Sequence, residues 1–544
     1  MLIPELKKRY DALKTERNLI DGVYALIEKF VMPHKGGFQG LKVQESSQVW
    51  KNREVYDDTA MGCALDLSSV LHTALTNPFI YWFLLTHSSD EVKNDKECIK
   101  WMQDTGRETF HFLSNSNFNL EISECYLDLV GYGITHLAAE VKMEGQEFMG
   151  FQFSLVPVID GFFELDAQEY NLRFYRRLLW TSDQIVDKFG ETLTEDVRLK
   201  LDAGMGKPDV KHEVVYVVER RESVDSSWQY SLDLLAEEKR PFRGVYFLHA
   251  SSSQLGDERG FYEMPVHSSR WRGAIHSKYG YSPAMMCLPT ILSLNQYESL
   301  MYVASEKAVD PPSFSTRRGV YGEVDLTPGG HTVVGGKDEF WFADLKHDLP
   351  IAKMSKQDMQ DAIRRTFFID QLQLKESPAM TATEVHARME KFQRLMGPSS
   401  NRIQTTLLSS IVRSAVSTLI RYKIVPRPPE KIMQTRGLVS VDFLGQSARA
   451  QRTEDAVAME RWASMVIGMA QAKPDITDNI NTDYIARSSA ATLGVPADAV
   501  VDETQVKAVR KRRAEIEEKR IEAETFKNQA AGQRDQAAAQ SMSQ

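Results

Sequence analysis

The stretch SPAMMCLPTILSLNQYESLMYVASEKAVDPP, residues 282–312, decides the architecture. It predicts one long helix that begins at Pro283 or Pro289 and stops before Asp310-Pro311-Pro312, because proline is tolerated in the first helical turn but cannot continue a helix it follows. The residues after it, up to Met354, lack helical periodicity. They hold Arg317-Arg318, the turn TPGGHT, a β-like TVVGG and the aromatic EFWFADL, and so predict a small compact insert. A second helix is expected to open at Ser355, with Asp358 in capping-box register, and to carry Met359, Ile363 and Phe367 at steps of four as far as Leu372.

Downstream lies LQLKESPAMTATEVHARMEKFQRLMGPSS, residues 372–400. Thr381 and Glu384 form a capping-box pair, a feature that contributes about 0.5 to 2 kcal/mol, so the loop from Lys375 to Met380 is expected to be anchored on its C-terminal side. Val385, Met389, Phe392 and Met396 recur at helical spacing, and Gly397-Pro398 reads as a stop. A further helix is expected from Asn401 to Tyr422, striped by Ile403, Leu407, Ile411, Ala415 and Leu419, before VPRPPEK breaks it.

Upstream, Leu6, Tyr10, Leu13, Ile20, Val23, Ile27 and Phe30 lie near one face of an N-terminal surface helix. Thr59 reads as the N-cap of a helix to Leu75, ended by Asn77-Pro78. From Asn117 the texture reads as strands, in NFNLEISE, FMGFQFSLVPVI, HEVVYVVERR, RGVYFLHA and GFYEMPVH. A helix with Thr181 and Gln184 in capping-box register interrupts them. The class expected is α+β. The last hundred or so residues have few aromatics and read as helical, with a low-complexity, disordered tail from Ala530.

At 544 residues the chain exceeds a single core, and several substructures are expected. A net charge of -9 argues against a protein whose main work is gripping nucleic-acid phosphates. Cys63, Cys98, Cys125 and Cys287 show no CxxC spacing, so they read as packing residues in a reducing compartment. No signal segment is evident, and the longest apolar run, Phe79 to Leu85, is too short for a span of about 20 residues, so a soluble protein without membrane insertion is expected.

Chemical motifs fail one by one. GGHTVVGGKDE puts His331 where a P-loop needs glycine and Asp338 where it needs Ser or Thr, and HEVV at His212 lacks the second zincin histidine. Asp57-Asp58 could bind magnesium, but a pair before a helix start reads better as helix-terminus electrostatics. Lys507, Arg510, Lys511, Arg512 and Arg513 are followed at once by Glu515, Glu517, Glu518, Glu522 and Glu524, which reads as a solvated charged helix. No catalytic, metal or cofactor site is expected.

VYDDTA at 55–60, NPFIYWFLL at 77–85, YGYSPAMMCLPTILSLNQYE at 279–298, Asp310-Pro311-Pro312 and MTATEVHAR at 380–388 occur in this order. Together they resemble the portal, or head-to-tail connector, proteins of short-tailed bacteriophages. The resemblance covers roughly Ile3 to Gly445 and implies a multi-part portal fold in a dodecameric ring. Residues 1–281 would form an α+β wing, 282–308 the first stem helix, 309–354 a small α/β clip and 355–373 the second stem helix. Residues 374–381 would be a channel loop, 382–445 the wing's return helices and 446–544 a helical crown with its tail. The loop residues Lys375, Glu376, Ser377, Pro378, Ala379, Met380 and Thr381 would face double-stranded DNA. In the clip, Arg317, Arg318, Trp341 and Phe342 would meet the terminase motor or tail adaptor proteins. Major capsid and scaffolding proteins would meet the wing. The implied function is a non-enzymatic DNA channel at one capsid vertex, assembled in the host cytoplasm and used in packaging, retention and ejection. A magnesium-dependent nuclease or ATPase, and an inner scaffold protein without a channel, are the alternatives.

Overall fold

The computed structural model describes residues 3–38, 54–93, 95–145, 147–165, 171–190, 192–221, 235–274, 277–316, 325–334, 340–342, 349–372, 394–434 and 440–443. It also describes 458, 460–466, 482–483, 485–486, 501 and 505–521. The chain is α+β and divides into two compact units, one of residues 1–83, 106–427 and 441–447, the other of 84–105, 428–440 and 448–544.

The first unit is built on two antiparallel sheets. The larger has five strands in sequence order: β3 (Gly161–Leu165), β4 (Asn171–Thr181), β5 (Lys211–Arg220), β6 (Phe242–Leu248) and β7 (Ser253–Phe261). The smaller places β1 (Ile134–Glu144) between β2 (Glu147–Leu155) and β8 (Val266–Arg270). Helix α1 (Ile3–Phe30) packs Leu6, Tyr10 and Leu13 on one face of the large sheet, against Phe162, Tyr175, Val215, Val217 and Phe247. Its buried stripe continues through Arg17, Tyr24 and Ile27 rather than Ile20 and Val23. Arg17 is accommodated there because its guanidinium lies 3.9 Å from the Phe162 ring, donates to Val158 O at 2.9 Å and sits 3.0 Å from Asp21. Helix α2 (Thr59–Leu75) follows, with Asp58 rather than Thr59 at its N-cap position.

NFNLEISE is not a strand. It opens a helix, Phe118–Gly131, reached after α3 (Lys96–Ser114) and here called α4. Phe118, Ile122, Cys125, Tyr126 and Leu129 are all buried, a helical stripe that overrides the local alternation. Its first turn protects the free edge of β2. Asn117 accepts from Phe153 N at 2.8 Å and donates to Phe153 O at 2.7 Å, and Glu121 accepts from Leu155 N at 2.7 Å. On the other face of the large sheet lie α5 (Ser182–Phe189) and α6 (Glu195–Asp202), over a core that includes Ile185, Val197, Leu201, Val214 and Leu248. Thr181 and Gln184 form the expected capping box. Cys63, Cys98, Cys125 and Cys287 are all free and buried, as packing residues should be.

The second unit is described in part. Asp95 caps the start of α3 by accepting from Glu97 N at 3.0 Å, and the side chains of Lys431 and Asp95 are paired. The charged helix at 505–521 is largely exposed, and Arg510 grips Asp483 through two 2.6 Å hydrogen bonds, in keeping with a solvated helix. The low-complexity tail from Ala530 lies outside the described residues.

Candidate functional site: a braced helix pair carrying a small insert

Helix α7 (Pro283–Val309) starts at Pro283, so Pro289 sits inside it. Its root is fixed by one side chain: Ser282 Oγ accepts from Met285 N at 3.0 Å, capping the helix, and donates to Gly131 O at 2.6 Å. The backbone beneath is packed too tightly for side chains, since a Cβ on Gly280 would lie 1.9 Å from Gly133 O, and Gly133 itself has φ +76°. Ala284, Met285, Cys287, Leu288, Ile291, Leu294 and Glu298 are buried, and burial then ceases. Beyond Glu298 the helix runs on for about 16 Å, at about 1.5 Å per residue, with Leu300, Tyr302, Val303 and Val309 exposed.

The return helix α8 (Leu349–Thr366) opens six residues earlier than the expected Ser355 start. Ser355 and Asp358 are interior positions, so their capping-box spacing has no capping role. A short turn, Ile369–Leu372, follows across Phe368, which has φ +62° between the buried Phe367 and Ile369.

Three polar contacts brace α7 and α8. Lys356 Nζ lies 2.8 Å from Glu298 Oε1, and this hydrogen bond holds the lysine above its ordinary pKa. The VYDDTA segment supplies the other two. Tyr56 N donates to Asn295 Oδ1 at 2.7 Å, while Asp57 accepts from Gln360 Nε2 at 2.8 Å and from Thr59 N at 2.9 Å. Asp57 therefore closes the start of α2 and ties it to α8. Both of its oxygens are engaged, and no group of metal-ligating side chains occurs among the described residues. Burial pushes the neighbouring thiols up, Cys63 to about 11 and Cys287 to about 12, so neither is a reactive thiolate at neutral pH.

Between the helices stands the insert sheet, with β9 (Ser313–Thr316) central, β10 (His331–Val334) parallel to it and β11 (Phe340–Phe342) antiparallel. Its folding signal is the TPGG turn. Gly330 N donates to Thr327 O at 2.9 Å and Gly329 has φ +68°, the geometry of a type II turn with Pro328 at its second position. Gly329 N also donates to Asp310 O at 3.0 Å, which fastens the turn to the end of α7. His331 joins Ser313 and Ser315 through both ring nitrogens, each at 2.9 Å. A strand falls in the β-like stretch at His331–Val334, and the aromatic EFWFADL, expected only as part of a compact insert, supplies β11.

Of the residues singled out in the sequence, Trp341 and Phe342 fall on β11, in register with Phe314 and Ser313. Arg317, Arg318 and Lys375 to Thr381 lie outside the described residues, as does the Thr381–Glu384 capping box. Gly397 and Pro398 do not end a helix: both lie inside α9 (Arg394–Arg421), which passes through a π-turn at Gln404–Leu408. This helix is long and apolar enough to cross a membrane, but more than half of its apolar window is buried, as in a core helix. Sequence reasoning missed Asn295, Glu298, Lys356 and Gln360. The available signal was Glu298 itself, a carboxylate continuing the Ile291, Leu294 stripe of α7.

The chain belongs to the family of bacteriophage head to tail connecting proteins, whose family model matches residues 4–501. It is 24% identical over 524 residues to the probable portal protein of Bordetella phage BPP-1, covering 94% of this chain and 91% of that one. It is 22% identical over 520 residues to the portal protein of Salmonella phage epsilon15, covering 94% and 90%. Among solved structures, similar chains occur in the virion of a native gene transfer agent particle (TM-score 0.35, 10% identity, 69% of this chain and 83% of that one). Another is in the neck of an empty gene transfer agent particle (TM-score 0.37, 9% identity, 74% and 86%). The protein is thus a portal-type connector of the phage virion, and its family is structural, not enzymatic.

Proposed function

We propose that the protein forms a closed ring, a dodecamer in the capsid, whose axial channel carries double-stranded DNA through one vertex during packaging, retention and ejection. The observation that carries this reading is the outer half of α7, where Leu300, Tyr302, Val303 and Val309 stand in solvent after Glu298 closes the core. A monomer gains nothing from such a face, whereas a neighbouring copy in a ring covers it. In this reading residues 1–281 are the wing, α7 and α8 the stem and the insert the clip. Residues 374–381 are the channel loop and the C-terminal region is the crown.

Arg317, Arg318, Trp341 and Phe342 then meet the terminase and tail adaptors, and the wing meets capsid and scaffolding proteins. The acidic balance suits a conduit, because a lumen cation is repeated in every subunit and neutralising only about 6 to 10 phosphates already makes binding strong. The nuclease alternative loses its best ligand, since both Asp57 oxygens serve the helix brace. Negative-stain electron microscopy with light-scattering mass tests the reading: closed rings with an axial opening support it, and compact particles without a hole favour the scaffold alternative.

A further inference from the structure

The two faces of the five-stranded sheet differ in charge. On the α1 face a ladder takes one residue from each strand. Arg173 donates to Glu164 and to Glu219, each at 2.8 Å, and Arg243 donates to Glu219 at 2.7 Å and to Glu258 at 3.1 Å. Every charge in it meets an opposite one.

The opposite face has no such balance. Arg176 on β4 is in register with Tyr216 on β5, which is in register with Tyr246 on β6, and the two tyrosine rings stack at 4.2 Å. Lys188 reaches over from α5, its Nζ 4.6 Å from the Trp180 ring and 4.8 Å from Tyr246. Arg259 on β7 is in register with Gly244, one step along the same face. None of Arg176, Lys188 and Arg259 has an ion pair among the described residues, and Arg176 Nε is buried with no hydrogen-bond partner. Burial, then Arg259 and Arg176 acting as like charges, depress the Lys188 ammonium; Glu140 is the one carboxylate that opposes them. Lys188 over its aromatic rings, with Arg176 and Arg259 close by and no ion pair to offset them among the described residues, carries a standing repulsion that an anionic partner would relieve.

We propose that this face is a docking surface for an acidic segment of a partner protein, with carboxylates pairing to Arg176, Lys188 and Arg259. The cations span four strands, three inter-strand spacings or on the order of 14 Å, which matches two or three carboxylates on one strand or two to three helical turns. Duplex DNA fits less well: phosphate binding draws on a continuous cationic track, and three side chains make a short one. The proposal does not rest on the ring.

The test is fluorescence anisotropy of labelled decaglutamate against the full-length protein in whatever assembly it forms, with carbodiimide coupling and mass spectrometry to locate the contact. Decaglutamate is expected to bind the wild type, to couple to Lys188 and to weaken at least about tenfold in R176Q/K188Q/R259Q, since each exposed pair supplies a factor of a few. K188R should retain binding. The exposed pair K188Q/R259Q, expected to keep the wild-type melting temperature, carries the test should R176Q disturb folding. Equal affinity for wild type and variants overturns the proposal. So does a duplex oligonucleotide of equal charge that displaces decaglutamate and depends on the same three residues, because the surface would then be a nucleic-acid site.

Discussion

Placing aspartate at Leu300 and Val303 should break assembly without unfolding the subunit. Leu300 is 61% and Val303 41% exposed, on the part of α7 that has left the core. Full burial of such side chains contributes about 1.5–3 kcal/mol each, so the exposed fractions leave about 1.5–3 kcal/mol per interface for a neighbour to recover, roughly one to two orders of magnitude in association. Aspartate removes that gain and adds the cost of desolvating a charge. In a ring every subunit carries the change, so L300D/V303D should shift the protein to monomers or open fragments at concentrations where wild type forms closed particles. Mass photometry reads the assembly, and circular dichroism with thermal melting reads the fold. Intact rings for the variant at wild-type concentrations would refute the reasoning, because this face would then not be an interface. A variant that unfolds would refute the claim that these side chains lie outside the subunit core.

Other substitutions test the fold and the loop. Lys423 has φ +59° in a Schellman ending of α9, with Ile424 N donating to Leu419 O at 3.0 Å and Lys423 N to Ile420 O at 3.0 Å, so K423G should stabilise by about 1 kcal/mol and raise the melting temperature. Glu219 is buried between Arg173 and Arg243, and E219A should cost about 1–3 kcal/mol, because each guanidinium loses its buried partner while Arg173 keeps Glu164 and Arg243 keeps Glu258, which chemical denaturation would show. His267 is buried against Ser410 Oγ at 2.7 Å, and burial lowers its pKa to about 4 from the ordinary 6.5. The unfolded chain therefore takes up a proton first, and about 3 kcal/mol should be lost as the pH falls from about 6.5 to 4, with H267N flattening the melting profile across that window. Shortening Lys375 to Met380 should spare ring assembly but impair packaging or genome retention; filled, infectious particles from that variant would sink the loop's assignment.

What the sequence revealed divides along physical lines. Signals closed within a few residues were legible: the Thr181–Gln184 box, the proline start of α7, the TPGG turn and the burial of the cysteines all depend on local geometry or composition. NFNLEISE misled because a window of eight residues fits period two, and only the stripe through Cys125, Tyr126 and Leu129 shows the helix. Gly397-Pro398 misled because its punctuation is local, while the packing that carries α9 through it is tertiary. The brace between Asp57 and Gln360, the charge ladder and the cation cluster were not legible, since each depends on strand register or helix docking between residues far apart in the chain. The motifs that pointed to the family were legible as patterns, but the work done by VYDDTA became clear only where Tyr56 and Asp57 meet α7 and α8.

A ring closed around a channel is the assembly proposed for this chain. Negative-stain electron microscopy of the purified protein, with light-scattering mass on the same sample, tests it most directly. Closed rings with an axial opening wide enough for a duplex, and a mass that is a whole multiple of the subunit, are expected. A stable monomer across several salt concentrations would contradict it.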